Sequence, residues 1–237
     1  MGEAQAERVG AATGIMFVLL VVIGFAVIPG APAFDSSPAR IQQYYVQHRH
    51  DLHVGLFIAS FGFFFFVWFL GSLVSHLRGA EGREGRLTTI VFGSGLIAIS
   101  GFILAFAVFA VAALRPGQTS AELIRALNDF AYLLAVPAAL VAAAFFAAIA
   151  TLSFRTGALP VWLSWLAVLT AIGNGFAVGG FFKDSGAFNA GDGALGFSVP
   201  FFSFLLWILL ASIVLTARAG AETPARAGGQ ERTLLSE

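Results

Sequence analysis

Six long apolar stretches, at about 11–30, 52–75, 87–114, 130–153, 159–181 and 195–216, occupy most of this 237-residue chain, and nearly every charge falls between them. Each is long enough to cross a hydrocarbon core of about 30 Å, which takes about 20 helical residues. Lipid offers the backbone no hydrogen-bond partner, so each stretch must satisfy its own amides and therefore be a helix. The pattern predicts an all-α polytopic membrane protein. Its parts are a cytoplasmic N-terminal segment over 1–10, a single six-helix transmembrane domain over 11–217, and a disordered cytoplasmic tail over 218–237.

Composition closes off several function classes. Charged residues make up 11% of the chain, against about 25% in ordinary soluble domains. The 13 basic and 13 acidic residues balance, which argues against nucleic-acid binding, since that needs a dense cationic face. The chain has no cysteine, which removes disulfides, thiol nucleophiles, iron–sulfur ligation and c-type haem attachment. Its single lysine, Lys183, lies outside the spans. No cofactor is expected, and the lipid bilayer is the one partner the composition demands.

Orientation follows from basic residues in short flanking loops. Arg8, Arg78, Arg83, Arg86, Arg155, Arg218, Arg226 and Arg232 fall on one side, against Arg40, Arg49, Arg115, Arg125 and Lys183 on the other. The excess places both termini in the cytoplasm of a plasma-membrane protein. Ala31-Pro32-Ala33 resembles a signal-peptidase site, but Glu3 and Glu7 precede Arg8, so an uncleaved first helix is expected.

The longer connections then lie outside. Ser37-Pro38 reads as a helix cap followed by proline at the first helical position. Ile41, Tyr44, Tyr45 and His48 recur at helical spacing after it, which predicts an amphipathic helix on the outer membrane surface with its tyrosines at headgroup level. Thr119-Ser120-Ala121-Glu122 reads as a capping box opening a helix that enters lipid near Phe130.

Helices associate in lipid through close backbone approach rather than burial of apolar area. Ala131, Ala135, Ala139, Ala143 and Ala147 repeat every four residues as a small-residue stripe, and Gly175 and Gly179 form a GxxxG pattern. Both are expected to pack helices, within the chain, in a homo-oligomer or against another membrane protein. The 26 phenylalanines are read as lipid contact and core filling, and Trp162 and Trp165 as interfacial anchors.

Polar groups inside apolar spans are the best pointers to function. His53, Asp129, Asn174 and Ser203 all fall in the outer half under the orientation above, which points to an outward-facing polar cavity. Asn174 sits in Gly173-Asn174-Gly175, a combination that weakens a helix. Interhelical packing is the stronger reading for it, and Asp129 reads more readily as a solvated acid than as a proton carrier. His50 and His53 can share a helix face, but His48 points elsewhere, so this trio does not make the three or four converging ligands a metal needs. No metal is expected there.

The Ile41-x-x-Tyr44/Tyr45-x-x-His48 segment, with Gly157-Ala158-Leu159-Pro160-x-Trp162-Leu163, resembles a family of uncharacterised six-helix membrane proteins common in actinobacteria. The resemblance covers most of residues 11–217 and implies a six-helix plasma-membrane fold, with no activity to carry onto particular residues. Two functions stay open. One is a small transporter or permease-like protein with an outward-facing polar site, and the other a non-enzymatic accessory subunit packing through small-residue faces. A membrane enzyme or metal protein is the third reading, and no catalytic motif in the sequence supports it.

Overall fold

The computed structural model of the chain describes the backbone of residues 3–83 and 85–234, and side chains between Gln5 and Ala219 apart from Ala6, Glu7 and Glu84. Its helices are α1 (Glu3–Val27), α2 (Pro38–Gln47), α3 (Arg49–Glu81), α4 (Arg86–Leu114), α5 (Ala121–Thr156), α6 (Val161–Phe176) and α7 (Val199–Leu234). Among the described residues, six helical segments are long and apolar enough to cross a membrane. The fifth adds the 3₁₀ turn Ala177–Phe181 to α6, and the sixth adds the π-helical turn Ala194–Ser198 to α7. The fold is the all-α polytopic bundle that the hydropathy pattern predicts.

The spanning helices close into a ring in chain order. α1 packs on α3, α3 on α4, α4 on α5, α5 on α6, α6 on α7, and α7 returns to α1. The interior is filled by aromatic side chains. Phe204 of α7 meets Phe17 of α1, Phe66 of α3, Phe102 of α4 and Phe146 of α5, with ring centroids 5.5–6.3 Å apart. Trp207, one turn on, is fully buried and donates from Nε1 to the carbonyl of Leu163 in α6 at 3.1 Å. One face of α7 therefore touches every other spanning helix. Edge-to-face aromatic pairs contribute beyond their area, which matters where apolar burial alone gains little.

The small-residue stripe is only partly used. Ala131 and Ala139 are buried, but Ala135 and Ala143 are half-buried and Ala147 is exposed. A four-residue repeat drifts about 40° per step around a helix of 3.6 residues per turn, so this stripe leaves the interface by its end. Ala138 takes over, and a Cβ added to Gly101 of α4 would lie 2.6 Å from its methyl. The GxxxG pair is split in the same way. Gly175 faces open space, while Gly179 packs against Phe188 of the following loop. The close crossing of α6 and α7 uses Gly173 instead, against Val199.

Helix ends follow local chemistry. Ser37 caps α2, with Pro38 at its first position, as its sequence predicts. Ser120, not Thr119, caps α5 by accepting from the amide of Leu123. α5 ends at Gly157, whose φ of 69° suits a residue without a Cβ. Glu81 reaches from the end of α3 to accept from the amides of Leu87 and Thr88, both at 2.8 Å, at the start of α4. The backbone of α7 is helical to Leu234.

Candidate binding cavity beneath helix α2

In the connection 28–48 the apolar stripe packs on protein, where its amphipathic pattern predicts contact with lipid headgroups. Ile41 and Tyr45 are each 1% exposed, packed with Leu52, Ala112, Ala113 and Ile124. The apolar stripe of α2 thus faces the end of the bundle, and its tyrosines enter the protein. A stripe that can be satisfied by lipid headgroups can equally be satisfied by protein, and sequence does not distinguish the two. α2 is a roof.

Polar side chains fasten this roof. The Tyr45 hydroxyl donates to Asn128 Oδ1 at 3.0 Å, and Asn128 Nδ2 donates to Asp129 Oδ1 at 3.3 Å. Arg125 Nε faces Asp129 Oδ2 at 3.5 Å, and its guanidinium also donates to the carbonyl of Ser36 at 3.0 Å. Gln42 Nε2 donates to the carbonyls of Pro116 and Thr119, and the Tyr44 hydroxyl donates to that of Pro29 at 2.7 Å. Burial pushes the Tyr44 phenol up to about 12, with the Asp51 carboxylate adding to the effect. Burial pushes Tyr45 up as well, helped by Tyr132, Tyr44 and Asp129. Both hydroxyls are therefore neutral donors across the physiological range.

Beneath the roof lies a cavity of about 360 Å³, bounded by the 28–34 loop, α2, α3, α4, α5 and the 191–198 segment. Its wall is mainly apolar and rich in aromatic rings. Tyr132 of α5 stands between Phe34, Phe109 and Phe197, meeting each edge-on with centroids 5.7, 4.9 and 6.0 Å away. Neither the Tyr132 hydroxyl nor the Ser198 hydroxyl has a hydrogen-bond partner among the described residues, and both residues line the cavity. Asp192 lies at its rim, exposed and without an ion pair among the described residues, within electrostatic reach of the Tyr132 phenol. The rim is held by Asn189, whose Oδ1 accepts from the amides of Gly191, Asp192 and Gly193 at 2.8–3.2 Å.

The four polar residues singled out by depth do not line this cavity. Asn174 and Ser203 do meet: Asn174 Nδ2 donates to the carbonyl of Pro200 at 3.5 Å, and Ser203 Oγ to the same oxygen at 3.3 Å. Asn174 is 1% exposed and also bonds to the carbonyl of Thr170, so it ties α6 to α7. The helix yields just beyond it, changing to 3₁₀ geometry at Ala177. Asp129 belongs to the roof's bonding chain. His50 and His53 both border an open groove between α3 and α4, and among the described residues no three His, Asp or Glu side chains gather as metal ligands.

Depth along a span locates polar residues along one axis only. Which side of the helix they occupy decides whether they meet. Tyr132 was legible by another signal, as the only tyrosine inside a spanning stretch. Asp192, in a glycine-rich loop, carried none.

Comparison with protein-family models, with curated proteins and with solved structures finds no match to this chain. The fold and cavity define the class by themselves: a multi-pass, all-α membrane protein with a roofed aromatic cavity at one end of its bundle.

Proposed function

We propose that this protein binds a small, largely apolar molecule in the cavity beneath α2, as a permease-like or receptor-like component of the plasma membrane. The observation that carries the reading is the pairing of an aromatic chamber with two unpartnered hydroxyls, those of Tyr132 and Ser198. Ligand sites are typically concave and apolar with a few polar groups that fix orientation. The arginine excess supports cytoplasmic termini and a cavity that opens outside.

Noncovalent mass spectrometry of protein released from its native membrane tests this. One small molecule per chain is expected, absent from an Ala31→Trp variant whose indole fills the cavity from the loop. Identical spectra from both proteins would count against the reading.

The accessory-subunit alternative draws on the small-residue faces, of which Ala131, Ala139 and Gly179 are already occupied inside the chain. Ala147 and Gly175 remain open to a partner helix. Crosslinking in native membranes separates a homo-oligomer or hetero-complex from a lone chain.

A further inference from the structure

The charges around the cavity narrow what it can hold. No lysine or arginine among the described residues lines it, whereas the Asp192 carboxylate stands at its rim without a cation partner among them. Arg125, a cation of the roof, is turned to the Ser36 carbonyl and to Asp129. An anionic ligand would therefore meet an apolar, net negative chamber and lose its hydration without a counter-charge. A cation would meet the opposite.

Eight aromatic rings line the chamber, and their negatively charged faces attract a cation placed within about 6 Å of a ring centroid. That attraction is greatest where water is excluded. We infer that the cavity selects lipophilic organic cations, amines or quaternary ammonium compounds with an apolar body. The cluster of Phe34, Phe109 and Phe197 around Tyr132 supplies the aromatic wall, and Asp192 is the rim counter-charge. The inference rests on the binding role proposed above and names the ligand class of that same cavity.

Benzyltrimethylammonium and neopentylbenzene separate charge from shape, since they differ only in a quaternary nitrogen replaced by carbon. Both are titrated calorimetrically into the full-length protein in nanodiscs, with empty nanodiscs subtracted. The cation should bind about tenfold or more tighter than the isostere, the scale of a desolvated cation–π contact. Asp192→Asn should weaken the cation about tenfold and leave the isostere within about twofold. Phe109→Leu, which removes one ring of that wall without touching the rim loop, should also weaken the cation preferentially.

Equal affinities, preference for the isostere, or indifference to both substitutions would overturn the cation inference while leaving the cavity a binding site. Absence of binding by either probe would overturn both. Unchanged melting temperatures for the two variants distinguish lost recognition from lost folding.

Discussion

Tyr45 and Asn128, 83 positions apart, are joined by a hydrogen bond of 3.0 Å between two buried side chains, and through it α2 is fixed over the end of the bundle. Tyr45→Phe keeps the ring but leaves Asn128 Oδ1 buried without its donor, which costs about 1–3 kcal/mol. The loss should be local. Hydrogen exchange across residues 38–47 is expected to accelerate about fivefold or more, with the cores of α3 and α5 unchanged. Uniform acceleration throughout the bundle would mean that the bond supports the whole fold rather than the roof.

The Asn174 side chain bridges α6 and α7 rather than facing the cavity. Asn174→Leu should therefore lower stability by about 0.6–1.7 kcal/mol, the range for interhelical hydrogen bonds in membranes. Ligand affinity should be unchanged. A variant that melts normally but no longer binds would return Asn174 to the functional site.

Two glycines make a matched packing test. A side chain at Gly101 collides with Ala138, whereas one at Gly175 enters open space. Gly101→Val should destabilise the bundle by about 1–3 kcal/mol or more through overpacking. Gly175→Val should be neutral or slightly stabilising, since valine is the better helix former, unless Gly175 contacts a second chain. Thermal melting in detergent and in native membranes decides both points, because a partner-dependent loss appears only in the membrane.

Alkaline titration reads the roof through Tyr44. Its folded phenol is raised from 10.0 to about 12, so the fold favours the neutral form. The associated stability is fully present below about pH 10 and lost as pH rises through about 12. A phenolate absorbance step near pH 12 is expected, missing from Tyr44→Phe, and that variant should lose less melting temperature as the pH is raised through that step. Ionisation of Tyr44 at its ordinary value of 10.0 would contradict its burial.

What could be read in advance divides along physical lines. The spans were legible because lipid imposes length and polarity on each segment separately, so Arg86–Leu114 follows from its own residues. The cap at Ser37 was legible for the same reason. What could not be read was azimuth. The alanine stripe from Ala131 to Ala147 turns out of its interface, and Asn174, Asp129 and His53, which the sequence groups by depth, contact different elements. The cavity draws residues from several helices and two loops, and such convergence belongs to the ring closure of the bundle rather than to any one stretch. Tyr132 and Ser198 come to line one cavity only once α5 and the turn leading into α7 are placed.

The central claim is that the chamber beneath α2 is a binding cavity reached from outside the cell. The absence of cysteine from the chain allows this to be measured on a silent background, with Ser198→Cys as reporter and the fully buried Ser212→Cys as control. Intact cells are treated with a membrane-impermeant cationic methanethiosulfonate. Cys at 198 should react, should be slowed by benzyltrimethylammonium, and should outpace Cys at 212. Failure of the 198 variant to react, under conditions where Asp35→Cys in the exposed loop is fully labelled, would contradict the account.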